Sequence, residues 1–178
     1  TSSTEYTYGG KSKLDSTVVE KGKTDGTSAR ADYTYTKQFL TGISAEGADY
    51  SFEYDGFGNR TATKLGGTAL MKNVYNEDNN TLEKSVYGNG DSILYSYDKY
   101  LRNTQVTKIT ASNFSFVAAN WKYDGFGNLS YLCDSTTGSN VETSFIYDSI
   151  GRISSFLRGD GFGANVGYDE FNRISGSR

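Results

Sequence analysis

The chain has 178 residues, long enough for one domain with a core of its own. Its 18 basic and 21 acidic residues net to −3 without forming blocks, so there is no electrostatic footprint for nucleic acid or an anionic membrane surface. With no His, the Ser-His-Asp and Cys-His arrangements and imidazole metal sites are excluded, and no run approaches the ~18 apolar residues of a membrane-inserting span.

Aromatic residues make up 15% of the chain, with 15 Tyr and 10 Phe against 35% hydrophobic residues in total. The apolar material available for burial is therefore largely ring surface, which favours strands over helices. The complete absence of Pro agrees with many strands pairing on both edges. Cys133 is the single cysteine, so no intrachain disulfide forms, and the reading is a buried, inert thiol. The chain opens on Thr1 rather than Met, which reads as processing or excision from something longer.

Taken in chain order, the sequence divides at an anchor tyrosine. A weak copy starts at Tyr8 (YGGKSKLDS), followed by a tight-turn signal at Asp25-Gly26. A second weak copy starts at Tyr35 (YTKQFLTGIS), with one residue inserted. The first strong copy is YDGFGNRT at Tyr54, closed by Gly66-Gly67. Thr68 to Tyr75 is the best helix candidate, but it is short and flanked by glycines and asparagines. YNEDNNTLEKS at Tyr75 is a third weak copy, and Asn89-Gly90 a further two-residue turn signal. Strong copies then follow as YDKYLRNT at Tyr97, YDGFGNLS at Tyr123, YDSIGRIS at Tyr147 and YDEFNRIS at Tyr168. The anchors are spaced by 27, 19, 21, 22, 26, 24 and 21 residues, which suits one hairpin per repeat.

Each copy can be read from its parts. A large apolar residue lies two before the anchor in seven of eight units (Tyr6, Tyr33, Phe52, Tyr95, Trp121, Phe145 and Val166), and Asn73 breaks the pattern. The residue between is mostly polar, so the period is two, as in a half-buried strand. Asp-x-x-Gly then asks for a type I turn followed by a left-handed residue: the carboxylate of Asp55, Asp98, Asp124, Asp148 or Asp169 accepts from turn N–H groups. Gly58, Gly127 and Gly151 take positive φ, with Asn172 as substitute. Leu101 at that position implies a different turn or local strain. Phe57, Tyr100, Phe126, Ile150 and Phe171, three past the anchor, are expected to fold back over the neighbouring hairpin, and the second strand to start at the Asn or Arg after the turn.

The fold class is therefore all-β: tandem antiparallel hairpins in one curved or spiralling repeat sheet. The reading is a single repeat region over residues 1–178, degenerate in 1–50 and strong in 52–178. Eight hairpins give about sixteen strands, and an open sheet of more than ~10 strands bends. At ~4.8 Å per strand the row is roughly 75 Å long, about 24 Å across if closed, too narrow to enclose a folded domain. Burial at ~1.5 to 3 kcal/mol per anchor ring makes the aromatic stripe the main source of cohesion.

The recurring Tyr-Asp-x-x-Gly-Arg/Asn-Ile/Leu-Ser/Thr resembles the repeat of the YD-repeat family, also called RHS repeats, strongly from Phe52 onward. That resemblance implies a secreted or cell-surface bacterial protein and a wall segment of a hollow shell. In the family such shells enclose a C-terminal toxin or build an extracellular scaffold. The implied partners are the rest of the shell and an encapsulated C-terminal domain. The family's shells commonly end in an aspartyl autoprotease with an Asp-Pro motif; this chain has no Pro, so no cleavage activity is carried over.

No enzyme, cofactor or metal is expected. Carboxylate pairs are conceivable as glycosidase machinery, but each motif Asp has a turn to hold. Asn76 to Asn80 offers oxygens to Ca²⁺ yet lacks the Gly and distal Glu of an EF-hand loop, and reads as a solvated turn. Gly159 to Gly163 has no following Lys-Ser/Thr and reads as a bulged turn rather than a phosphate cradle. The rival to a scaffold is a carbohydrate or cell-surface binding module, with Trp121 the first suspect for stacking on a sugar. Self-association through unpaired sheet edges is a third expectation.

Overall fold

The structure, a computed structural model, describes residues 3–10, 13–21 and 27–177. The Asp25-Gly26 turn signal and Lys11-Ser12 of the first weak copy lie outside the described residues. The chain forms two compact units, Thr1–Asp91 and Ser92–Arg178.

In the first unit β1 (Ser3–Tyr8), β2 (Leu14–Lys21), β3 (Thr27–Thr36) and β4 (Phe39–Ala45) are followed by β5 (Ala48–Tyr54), β6 (Arg60–Leu65), β7 (Thr68–Tyr75) and β8 (Leu82–Tyr87). The second holds β9 (Ser92–Tyr97), β10 (Asn103–Ile109), β11 (Ser115–Tyr123), β12 (Leu129–Asp134), β13 (Val141–Tyr147), β14 (Ile153–Arg158), β15 (Gly163–Tyr168) and β16 (Ile174–Ser177). Within each unit every strand pairs antiparallel with its sequence neighbour in an open sheet. The sixteen described strands match the sequence estimate, and the described residues contain no α-helix. The helix candidate Thr68 to Tyr75 is β7, whose residues alternate between exposed and half-buried along its length.

That alternation is the reason these segments are strands. In β7 Ala69, Met71, Asn73 and Tyr75 face inward while Thr68, Leu70, Lys72 and Val74 face solvent. In β13 Thr143, Phe145 and Tyr147 are half-buried, with Glu142, Ser144 and Ile146 exposed between them.

Among the described residues no second layer seals the aromatic face. The deeply buried apolar residues among those described are small, Ala62, Ala118 and Cys133, and no large side chain is fully buried. The ring burial expected from the sequence was too generous, because a ring in a single sheet loses water only to its strand neighbours. Tyr54, Tyr97, Tyr123, Tyr147 and Tyr168 are half-buried, and Tyr6 and Tyr8 on β1 are exposed. Cohesion rests on backbone ladders and ring-to-neighbour contacts together. The substantial contacts of every strand are with its neighbours in sequence, so stability is a nearest-neighbour sum.

Candidate functional site

The Tyr-Asp turns form one device. In the Tyr54 hairpin the Gly58 N–H donates to the Asp55 carbonyl at 3.2 Å, and the Asp55 N–H to the Asn59 carbonyl at 3.0 Å. The Asp55 carboxylate accepts from the N–H groups of Phe57 and Asn59, both at 2.9 Å, and from the Asn59 amide at 2.8 Å. Gly58 has φ 92°. This is the expected type I turn with a left-handed residue, and the extra residue makes the register slip between Glu53 and Tyr54.

Asp98, Asp124, Asp148 and Asp169 repeat the arrangement, each taking two turn N–H groups on Oδ1. The strand after the turn starts one residue later than the sequence suggested: Asn59, Arg102, Asn128, Arg152 and Arg173 bond the carboxylate and belong to the turn. Leu101 keeps the same turn and absorbs its cost as strain, at φ 61°.

The weak copy at Tyr8 closes as the strong ones do, with the Gly9 N–H donating to the Lys13 carbonyl at 2.9 Å and Tyr8 paired with Leu14, whereas the other two weak copies turn differently. Tyr35 has a two-residue loop, Lys37-Gln38, with Lys37 at φ 55°, so it is shortened rather than lengthened. The longer loop belongs to Tyr75, where Asn80 is left-handed and the Asn76 Oδ1 accepts from the N–H groups of Asp78 and Asn79, each at 3.0 Å. That oxygen is engaged by the turn. At Asn89-Gly90 the expected two-residue turn is a three-residue loop, with Tyr87 N–H bonded to the Asp91 carbonyl and Gly90 at φ 89°. Gly159 to Gly163 is a bulged turn, with Gly161 at φ 84°.

The anchor tyrosines carry the contact between repeats. Tyr54 Oη donates to the Leu40 carbonyl at 2.8 Å, Tyr123 to Asn103 at 3.0 Å, Tyr147 to Leu129 at 2.8 Å and Tyr168 to Ile153 at 2.9 Å. Each acceptor is the residue paired across the hairpin with the preceding anchor: Tyr35, Tyr97, Tyr123 and Tyr147 respectively. In these four hairpins one hydroxyl thus fixes the hairpin onto the one before it. Arginine adds a second tie: Arg102, ion-paired with Asp98 at 2.6 Å, lies 4.2 Å above the Tyr123 ring, and Arg152 lies 4.1 Å above Tyr168.

Where the aromatic pattern breaks, a polar pair replaces it. Asn73 donates to the Arg60 carbonyl at 2.9 Å and accepts from Ser85 Oγ at 2.8 Å, and Ser85 is only 3% exposed. The left-handed positions also dock: Asn59 donates to Asn80 Oδ1 at 2.5 Å and Arg152 to Asn172 Oδ1 at 2.7 Å. Neither contact has a signal in a single copy of the motif.

One expectation is overturned. Phe57, Tyr100, Phe126, Ile150 and Phe171 do not fold over the neighbouring hairpin; they project at the turn tips, Phe126 being 96% and Phe57 77% exposed. They sit at the hairpin ends, beyond the last paired residues. Tyr100 and Phe171 pack instead on their own turn's guanidinium, 5.1 Å from Arg102 and 5.0 Å from Arg173.

The carboxylates are held below their usual range. For Asp55 and Asp124 the largest cause is the amide of Asn59 or Asn128. For Asp148 and Asp169 it is the backbone N–H of Arg152 or Arg173. At Asp98 burial pulls upward most strongly but is outweighed by the bonds from Arg102 and Tyr100. These groups stay ionised and engaged, the opposite of a poised general acid.

Trp121 is half-buried on the anchor face of β11, opposite Leu132. On the other face Asn120 pairs with Cys133, and an open groove of about 810 Å³ is lined there by Gln105, Asn120, Tyr131, Cys133 and Glu142 among others. Cys133 is 3% exposed. Among the described residues no cluster of His, Cys, Asp or Glu is arranged to hold a metal, and no helix is long and apolar enough to cross a membrane.

No family model matches the chain, and no curated protein matches it. Solved structures do. A Tc holotoxin pore from Photorhabdus luminescens aligns over 94% of this chain with TM-score 0.70 and 14% identity. A TcdB2-TccC3-TEV structure aligns over 96% with TM-score 0.56 and 11% identity, and TcdB2-TccC3 over 93% with TM-score 0.54 and 12% identity. The chain spans about a tenth of each: 10%, 11% and 11% of their lengths. At these identities the likeness concerns the fold, and the chain has the RHS-type fold, an open antiparallel sheet of hairpins as in a segment of the Tc toxin chains.

Proposed function

We propose that this chain is a non-enzymatic wall segment of an RHS-type shell, a structural part of a secreted bacterial protein whose other partners are the rest of the shell and the domain it encloses. The observation that carries the reading is the tyrosine tie: each hydroxyl from Tyr54, Tyr123, Tyr147 and Tyr168 reaches the backbone of the preceding hairpin. The motif's polar groups are engaged in holding turns and joining repeats, which is what an extensible wall requires. The Asp residues that a hydrolase would use are ionised and saturated by turn donors.

The test is a graft. The aligned tenth of a TcdB2-TccC3 chain is replaced by this one, and particles are imaged by electron microscopy beside a control graft from another Tc toxin chain. Closed particles support the wall reading. Open or collapsed particles, with the control closed, overturn it. Turnover of glycoside, ester or peptide substrates by the purified chain, lost on substituting a motif Asp, would overturn the non-enzymatic half.

A further inference from the structure

At four junctions the residue just before an anchor's cross-strand partner covers the next anchor ring and touches the next left-handed turn residue. Lys13 lies 4.9 Å from the centre of the Tyr35 ring and donates to the Lys37 carbonyl. Phe39 stacks on Tyr54 and lies against Gly58, where an added Cβ would meet it at 2.9 Å. Arg102 lies over Tyr123, and a Cβ on Gly127 would meet its Nη1 at 3.3 Å. Arg152 lies over Tyr168 and donates to Asn172 Oδ1 at 2.7 Å.

Between the Tyr123 and Tyr147 hairpins that position is Asn128, whose short amide is engaged in its own turn, donating to Asp124 Oδ2 at 3.0 Å. A Cβ on Gly151, the left-handed residue of the Tyr147 turn, would meet nothing within 4 Å. Asn59 is equally short, but there the left-handed residue is Asn80, whose side chain accepts from it at 2.5 Å, a contact that Gly151 has no side chain to make. A groove of about 670 Å³ opens at this junction, lined by Asp124, Asn128, Tyr147 and Gly151, with Phe126 and Ile150 among its walls. Its size is within the range of roughly 300–1,000 Å³ typical of binding pockets.

The chemistry of the lining narrows the ligand. Asp98 and Asp148 each hold a guanidinium on Oδ2, whereas Asp124 holds the neutral Asn128 amide there. Asp124 is also close enough to act on the ring: the Tyr147 hydroxyl is pushed up, first by burial and then by the Asp124 charge. No Lys or Arg lines the groove, and its other carboxylate, Asp148, is ion-paired with Arg152 at 2.7 Å. The group over the ring is cationic at Tyr35, Tyr123 and Tyr168, and the same place at Tyr147 suits a planar guanidinium, which stacks on a ring while bonding a carboxylate. Phe126 and Ile150, 96% and 65% exposed, offer apolar surface to the methylene stem that carries it. We propose that this groove takes an arginine side chain of a polypeptide partner, its guanidinium over the Tyr147 ring beside Asp124. The site does not rest on the wall reading, because it needs only two adjacent hairpins.

The experiment titrates the isotope-labelled chain by NMR with the blocked tripeptide acetyl-Gly-Arg-Gly-amide, reading the Gly151 amide and the Asn128 side-chain amide. The same peptide with citrulline, a neutral near-isostere of arginine, and methylguanidinium alone are run beside it. The expected result is a saturable shift with Kd below about 10 mM for the arginine peptide, absent with citrulline and weaker with methylguanidinium. Asn128→Arg supplies a guanidinium from within, as Arg102 and Arg152 do, and abolishes binding; Asp124→Asn weakens it about fivefold or more. Circular dichroism confirms that the variants fold, and the citrulline comparison in the unaltered chain decides the matter even if one does not. Absence of a saturable shift, equal binding of the citrulline peptide, methylguanidinium binding as tightly as the peptide, or unchanged affinity in a folded Asn128→Arg or Asp124→Asn chain overturns the proposal.

Discussion

Tyr54 makes one hydrogen bond that a phenylalanine cannot, to the Leu40 carbonyl at 2.8 Å. Its ring also stacks on Phe39, with centroids 4.7 Å apart, and that contact survives the exchange. Tyr54→Phe therefore isolates the hydroxyl and is expected to cost about 1 kcal/mol in chemical denaturation, the usual net value of one such bond. Phe126, 96% exposed, is the contrasting case: Phe126→Ser changes stability by no more than about 0.5 kcal/mol in the same measurement. Leu101 sits at φ 61°, where a side chain costs about 1–2 kcal/mol against glycine. Leu101→Gly gains part of that back, about 1 kcal/mol or less after the added flexibility of the unfolded chain, seen as a higher denaturation midpoint.

At the level of the hairpin, the same motif position has different surroundings in different copies. A Cβ on Gly58 would meet the Phe39 ring at 2.9 Å, whereas one on Gly151 would meet nothing within 4 Å. Both residues have positive φ, 92° and 84°, so both alanine variants carry backbone strain. Gly58→Ala is expected to be the more destabilising of the two, because Phe39 must also move off Tyr54; comparing their melting temperatures checks this. The Asp-x-x-Gly turns were legible because a carboxylate acceptor and a left-handed residue are local requirements. The Asn73 and Ser85 pair was not: in the sequence Asn73 is only a break in a pattern, and its partner lies 12 residues away across a strand pair.

For the molecule as a whole, the repeated carboxylates set a pH dependence. Asp55, Asp98, Asp124, Asp148 and Asp169 are each lowered from the ordinary value of 3.8, so the folded chain binds fewer protons than the unfolded one in that range. Their contribution is fully present above the ordinary carboxylate pKa and is lost as pH falls through it toward the lower folded values. Melting temperature followed by circular dichroism should be flat above about pH 5 and fall steadily below about pH 4. An Asp148→Asn variant keeps an acceptor oxygen, as Asn76 does naturally, and should show a shallower acid limb.

The sequence by itself determined the repeat, the strand class, the number of hairpins and the shape of the strong turns. These depend on residues within eight positions of one another and on a period of two. Only the tertiary structure decided what the repeats do to each other. The tyrosine hydroxyls reach back one hairpin, the arginines cover the next ring, and the residues at the turn tips point away from the sheet. It also decided that the face opposite Trp121 holds a groove, because Gln105, Asn120, Cys133 and Glu142 come together only through the register of four strands. A motif records the constraints within one turn of chain, whereas contacts between hairpins depend on which atoms the pairing places side by side.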